Sequence, residues 1–439
     1  MPSLSSPLAW LLRKEWCELL ASRAWWIFLL LMGPMAGVSF ISAARTYAEA
    51  SGLGGTAAGV GEAFSPLIGI WAPTFSACEL AAAFLLPFVA IRLVAGDRQS
   101  GALKLELQHR MSAFTRMAAK SAVLMAGWWI ALLAPVAAVL LWKSYGGSIY
   151  FPELATVVFG HLLNAGLTIA LAGAAASMTE HPATAAIVTL AVTVGSWIIN
   201  FIAAVHGGWW ERIAGYTPTA MVAEFQHALV RLDAVLTALV LICAGLALAA
   251  IWIRLGVAVR RRVYESIAVA VIAAAAIFAC AFLRASWDLS ENRMNSFSRE
   301  DETALLGIQA PLRIEVHLAP EDPRRVDLEH RALSKLRRLM PKLQVDYVSA
   351  TSIGLFEQTS AHYGEIWYEM GGRRETNRVT TPEGVLETIY SLAGITPPES
   401  AQEFRGHPLA VPPRGAALVF YVIWPAIIVA IGLLVQRRQ

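Results

Sequence analysis

The side chains best placed to do chemistry in this 439-residue chain are limited mainly by their spacing. Gly96 and Gly101 stand at the interval of a phosphate-cradling loop, which needs G-x-x-x-x-G-K-[ST] so that backbone N–H groups and a lysine meet the phosphates. Ala102 and Leu103 follow where Lys and Ser/Thr are required, so the chain is expected to hydrolyse no nucleotide itself. His317, His330, His362 and His407 stand in no metal-ligand spacing, no Cys lies near them, and no G-x-S-x-G occurs. The expectation is a protein that is not an enzyme, with no metal or cofactor of its own. Cys17, Cys78, Cys243 and Cys280 read as packing residues.

The elements that hold these residues are mostly apolar. Hydrophobic residues make up 56% of the chain, charged residues 15%, and the mean hydropathy is +0.54, which excludes a soluble protein. Crossing a hydrocarbon core of about 30 Å takes roughly 20 helical residues. Stretches of that kind read as spans near Trp25–Ile41, Ala72–Ala95, Ser121–Trp142, Leu154–Ser177, Ala183–Val205, Ala234–Leu255, Ser266–Leu283 and Gly415–Val435. The fold class is therefore an α-helical polytopic membrane protein of about eight spans. Mixed charges before the first span are not those of a cleaved signal peptide, so that span is expected to be retained. Leu8, Leu12, Trp16 and Leu19 form one stripe of residues 1–24, as in an interfacial helix.

Charge is divided unevenly. Of the 67 Asp, Glu, Lys and Arg, 33 lie between Trp287 and Pro412, a stretch of net charge −5, whereas the remainder carries +8. Short-loop basic residues, among them Arg13, Lys14, Arg98, Lys104, Arg116, Lys120, Arg260 and Arg437, fall on one side, with only Arg45, Lys143, Arg212 and Arg231 opposite. That bias places both termini and the loop 96–120 in the cytoplasm, with residues 286–412 outside.

Within the spans, Glu79, Asn164 and Asn200 are the polar side chains that qualify for a pathway, because an uncompensated polar group is costly there. Snorkelling or helix pairing accounts for Glu79 equally well. Gly166, Ala170 and Ala174 are steps of close helix packing.

The hydrophilic stretch alternates with period two at Ile314, Val316 and Leu318, which predicts a strand over Arg313–Ala319. A basic helix over Val326–Met340, a strand over Gln344–Ala350, a hairpin turning at Gly371-Gly372 and a helix after Thr381 complete an α/β pattern. Arg324, Arg325, Arg331, Lys335, Arg337, Arg338 and Lys342 fit either a solvated helix face or a site for an anionic lipid or glycan.

The run GDRQSGALKLELQHRMSAFTRMAAK, Gly96–Lys120, resembles the stretch that joins the second and third spans of ABC type-2 exporter permeases, where an acidic-Arg pair is followed by Gly-[Thr/Ser]-Leu-Glu, a Pro-Val-Ser turn and Gly-Lys. Asp97, Arg98, Gly101, Leu103, Leu105, Leu107, Ser112 and Lys120 fall in register. Lys104 stands where Glu is usual, Arg110 replaces the turn proline, and Ala119 replaces the Gly before Lys120. Arg13-Lys14-Glu15 occupies the place of that family's Arg-Lys-Glu, and Tyr216-Thr217-Pro218, before a short amphipathic helix with Phe225, Leu229 and Leu232, resembles its external element. The resemblance implies a permease core over 25–262 and an ATPase-coupling set of Asp97, Arg98, Gly101, Leu103, Lys104, Leu105, Ser112 and Lys120. It also implies a separate ATPase dimer that binds ATP and Mg, and a second permease chain in a homo- or heterodimer. A basic loop held against anionic lipid is the alternative for 96–120.

Asp288-Leu289-Ser290, Phe297-Ser298, the first strand, and Tyr363-Gly364…Gly372-Arg373-Arg374-Glu375 before Glu387 resemble the external domain of the gliding-motility auxiliary transport proteins, called GldG-like. This implies a shortened auxiliary domain over 286–412, between a seventh span (263–285) and an eighth (413–439). Membrane lipids and an envelope or periplasmic protein are the other expected partners, and nucleic acid is not. Two functions follow: a transporting subunit, or a non-transporting device that passes ATP-driven motion to an envelope partner. Inverted repeats or paired broken helices, which an ion-driven transporter requires, are not seen.

Overall fold

A computed structural model describes residues 7–53, 65–102, 111–206, 209–283, 285–319, 322–348, 362–398 and 404–437. Eight of its helices are long and apolar enough to cross a membrane: Arg23–Ala50, Leu67–Gln99, Ala113–Ser144, Phe151–Met178, Pro182–Ala203, Leu232–Ile253, Val259–Cys280 and Ala416–Gln436. The chain is a mostly helical, multi-pass membrane protein.

Several helices outrun their apolar stretch, because backbone hydrogen bonding continues past the hydrophobic edge. The largest consequence falls on the segment 96–120. Helix continues to Ser100 and ends at Gly101, whose φ of +76° makes it the left-handed cap. Helix resumes at Ala113, where the Ser112 hydroxyl accepts the Thr115 N–H at 3.0 Å. The flanking helices therefore take up both ends of the expected 25-residue loop, to Ser100 on one side and from Ala113 on the other, and residues 103–110 lie outside the described residues.

The chain divides into two compact units, one comprising residues 1–200, 212–289 and 405–439, the other 201–211 and 290–404. In the first, the eighth span packs on the first through glycines: a Cβ at Gly33 would come within 2.1 Å of the Trp424 ring, and one at Gly37 within 2.5 Å of Phe420. The Trp424 indole donates to the Leu29 carbonyl at 2.8 Å, beside Pro34 of the same helix. The segment leading to the eighth span is pinned by three further bonds. Tyr47 donates to the His407 carbonyl, Tyr145 to the Arg414 carbonyl, and Leu409 N–H to Ser51 Oγ, at 2.8 to 2.9 Å.

The element after the fifth span departs from expectation. Its helix, Pro218–Gln226, is capped by Thr217 and buries Phe225 against Gly160, where a Cβ would come within 2.4 Å of the phenylalanine. Leu229 lies outside that helix, in strand β1 (Leu229–Arg231), which pairs antiparallel with β2 (Ser286–Asp288), and Leu232 opens the sixth span. Ala228 takes a left-handed φ of 57°, which ends the helical stripe.

The second unit holds a four-stranded sheet ordered β4-β3-β5-β6: β3 (Leu312–Val316), β4 (Leu343–Tyr347), β5 (Ile366–Met370) and β6 (Arg373–Asn377). The β3–β4 pair is parallel and the other two are antiparallel. Helical turns from Pro323 to Leu339 make the crossover a parallel pair requires. Leu312, Ile314 and Val316 point into a core shared with Ile366, Tyr368, Leu336 and Ile389, while Arg313 is exposed. Ser298 caps the helix Arg299–Gly307, and Thr381 caps Pro382–Ala393.

Candidate functional site

The N-terminal helix, Pro7–Ala21, buries Leu11, Glu15 and Leu19. Leu8 is 43% exposed and Leu12 and Trp16 are half-buried, so the face set against the bundle is a different one, with a carboxylate at its centre. The reason lies across the bundle. Lys120 Nζ donates to Glu15 Oε1 at 2.5 Å and to Asp97 Oδ2, and Lys14 Nζ donates to Asp97 Oδ1 at 2.7 Å. Lys14 also reaches Glu15 at 3.2 Å and Glu18 at 3.1 Å. Glu15, Asp97 and Lys120 are each no more than 2% exposed. Burying such charges is tolerable only when they are mutually paired. Burial pushes the Glu15 carboxyl upward, with Lys120 drawing it back.

Three carboxylate oxygens of Glu15, Glu18 and Asp97 converge within 4.8 Å of one another, the arrangement of a cation site. Two lysine ammonium groups bond those same carboxylates, so the cluster works as a clasp rather than a metal centre. It joins the N-terminal helix to the end of the second span and the start of the third. Next to it, Arg98 Nη1 donates to the carbonyls of Ala176 and Thr179, at 3.2 and 2.9 Å. These lie at the C-terminal end of the fourth span, where carbonyls lack helical partners and a cation suits the dipole. Asp97 and Arg98, adjacent in sequence, thus tie together four elements. Leu103, Lys104 and Leu105 lie outside the described residues.

Glu79 and Asn200 line one cleft of about 660 Å³, with Met35, Ser39, Ser76, Trp197 and Thr219. Trp197 Nε1 donates to Glu79 Oε1 at 3.1 Å. Asn200 donates to the Ser196 carbonyl at 2.8 Å and to Thr217 Oγ1 at 2.7 Å, and the Ser196 and Thr219 hydroxyls lie 2.8 Å apart. Asn164 is buried on the fourth span and does not line that cleft. Sequence reasoning missed Trp197 and Thr219. The available signal was Ser196, Trp197 and Asn200 sharing little more than one turn.

The hairpin residues play a structural part. Gly371 and Gly372 both take positive φ, as a two-residue turn demands. Gly364, at φ +86°, donates its N–H to the His317 carbonyl at 2.8 Å. The Tyr363 hydroxyl donates to Asp322 Oδ2 at 2.8 Å, and Arg324, bonded to the same carboxylate, holds it down to about 2. Arg374 lies 3.9 Å over the Trp367 ring and donates to Glu315, while Arg373 and Glu375 face Met370 and Tyr368 across β5–β6. The basic helix side chains are engaged within the unit: Arg325 over Tyr347, Arg337 on Glu329, Lys335 on the Ser296 carbonyl, Arg338 on that of Asn295. Of the cysteines, Cys78 and Cys280 are buried, but Cys17 and Cys243 are exposed and do not pack.

Fold and site together define a polytopic helical membrane protein with a buried charge clasp at one end of its bundle and a polar cleft among its spans. No protein-family model, curated protein or solved structure matches the chain.

Proposed function

We propose that the chain is the transmembrane permease subunit of an ABC type-2 exporter, driven by a separate ATPase dimer on the cytoplasmic face and paired with a second permease chain. The observation that carries this reading is the Glu15–Asp97–Lys120 clasp with Arg98 beside it. A short connection between the second and third spans can transmit an ATPase's movement only if its flanks are rigidly joined to the rest of the bundle. The clasp and the Arg98 cap supply that rigidity at residues 97, 98 and 120, whose pattern resembles the permease coupling segment. The cleft around Glu79 and Asn200 offers a polar wall to a passing substrate. Residues 286–412 form, in this reading, an inserted α/β domain outside the inner membrane, with both termini in the cytoplasm.

A second reading has its own support. The two chain segments that lead into and out of residues 290–404 are held by the span-bearing unit, one through β1–β2 and the other through Tyr47, Ser51 and Tyr145. Such tethers suit a device that passes motion of the spans to a domain acting on an envelope partner.

The decisive experiment is gentle affinity purification from native membranes, with mass spectrometry and an ATPase assay on the eluate. A stoichiometric partner with a phosphate-cradling loop and vanadate-sensitive hydrolysis is expected. Arg98→Glu should then lower substrate- or partner-stimulated hydrolysis while leaving the protein in the membrane. Absence of any ATPase across several detergents would overturn the assignment.

A further inference from the structure

The turn between the sixth and seventh spans breaks a rule of helix electrostatics. Helix Val259–Cys280 begins with Arg260, Arg261 and Arg262 and has no acidic residue in its first turn. The start of a helix is its positive end, where cations are disfavoured and anions stabilised. Arg254, just past the end of the sixth span, adds a fourth arginine across the tight turn at Gly256. Glu265 is the only acidic residue between Asp233 and Asp288. It bonds Arg254, and Arg261 at 3.0 Å, while Arg260 and Arg262 pair with no carboxylate among the described residues.

Arg254 and Arg262 are held rather than trailing. Arg262 donates to the Arg254 carbonyl at 2.5 Å, and its guanidinium lies 5.9 Å from the centre of the Trp252 ring. Arg260 is exposed and has no side-chain partner among the described residues, and Arg261 keeps 73% of its side chain exposed. Around them, Leu255, Val259 and Tyr264 are 53%, 62% and 71% exposed. Apolar and aromatic side chains interleaved with cations at a span's end are the composition of a membrane–water interface. Below them the face of the seventh span is bare, with Ile267 and Val271 more than half exposed.

We propose that Arg254, Arg260, Arg261 and Arg262 bind the headgroup of an anionic phospholipid, with its acyl chains lying along the exposed face of Val259–Cys280. A phosphate diester supplies the anion that the helix start and the surplus arginines lack, and the chains cover apolar surface that water would not. This assignment rests on the spans alone and is independent of the exporter reading.

The test is native mass spectrometry of the full-length protein in mild detergent, titrated with phosphatidylglycerol or with phosphatidylcholine of the same chains. The wild type should bind one phosphatidylglycerol in clear preference to phosphatidylcholine. Arg260→Gln should weaken that binding about fivefold, and Arg260→Gln with Arg261→Gln about 30-fold, as expected for cations acting near a lipid surface. The single variant breaks no side-chain bond among the described residues, so it remains informative if the double variant misfolds. Equal affinity for the two lipids, or an unchanged affinity in the variants, would overturn the proposal. Displacement of the lipid by millimolar inorganic phosphate would also overturn it, by showing a site for a soluble anion.

Discussion

Carboxylate–cation pairing occurs in both units of this protein under opposite conditions. In the clasp, Glu15, Asp97 and Lys120 are almost wholly removed from solvent and hold separate helices together. On the sheet of the second unit, Arg313 and Asp346 pair at 2.8 Å on neighbouring strands, each open to water. The same chemistry therefore has different consequences. Breaking a buried set strands a charge where nothing else can solvate it, whereas water replaces a lost surface partner at little cost.

The sharpest way to break this contrast is Lys120→Met, which leaves Glu15 and Asp97 buried with only Lys14 between them. A loss of about 3–5 kcal/mol is expected, seen as a lower melting temperature of the full chain in detergent. A variant that melts like the wild type would mean that water already reaches the clasp. Glu15→Gln should cost less, about 1–2 kcal/mol, because burial already disfavours this carboxylate's charge and an amide oxygen can still accept from Lys120. Ranking the two by melting temperature tests whether the cation or the anions anchor the cluster. Trp197→Phe removes the indole that bonds Glu79 and should cost about 1 kcal/mol, read in the same assay.

Asp322 offers a gentler comparison, through pH. Its folded carboxyl is lowered to about 2 from an ordinary 3.8 by Arg324 and Tyr363. A depressed carboxyl adds stability above its ordinary value and loses it as pH falls toward the folded value. The second unit should therefore weaken between about pH 4 and pH 2. Asp322→Asn should flatten that part of the profile, measured by tryptophan fluorescence on residues 286–412 if they fold alone, or on the full chain if not. Asp346→Asn, at the exposed end of the series, should leave the melting temperature unchanged. A clear drop would place that pair in a protected setting.

Much of this architecture is legible in the sequence because apolar length and period two are local signals. Eight apolar stretches correspond to eight helices, and the alternation at Ile314 and Val316 marks β3. What hydropathy hides is the pairing of distant charges. Glu15 looks solvent-facing on a helical wheel because its partner, Lys120, is 105 residues away. Cys17 and Cys243 mislead for a related reason: a thiol's preference for burial says nothing of which face of its helix meets protein. The edges of segment 96–120 are misjudged because Ser112 and Gly101, rather than hydrophobicity, set where the flanking helices begin and stop. At Glu79 and Asn200 the residue types point to the spans' interior, but only packing shows that they share one cleft while Asn164 does not.

The groove that Gly33 and Gly37 open on the first span bears on how the protein is made. That groove is filled by Phe420 and Trp424, so the helix Arg23–Ala50 has no permanent neighbour on this face until more than 380 further residues have been synthesised. At about 5–20 residues per second the interval is roughly 20–80 s. Throughout it, the bare helix face must be shielded by lipid or by the insertion machinery. A substitution at Gly33 or Gly37 would accordingly act late in biogenesis, as a failure to close the bundle, after every span has already entered the bilayer.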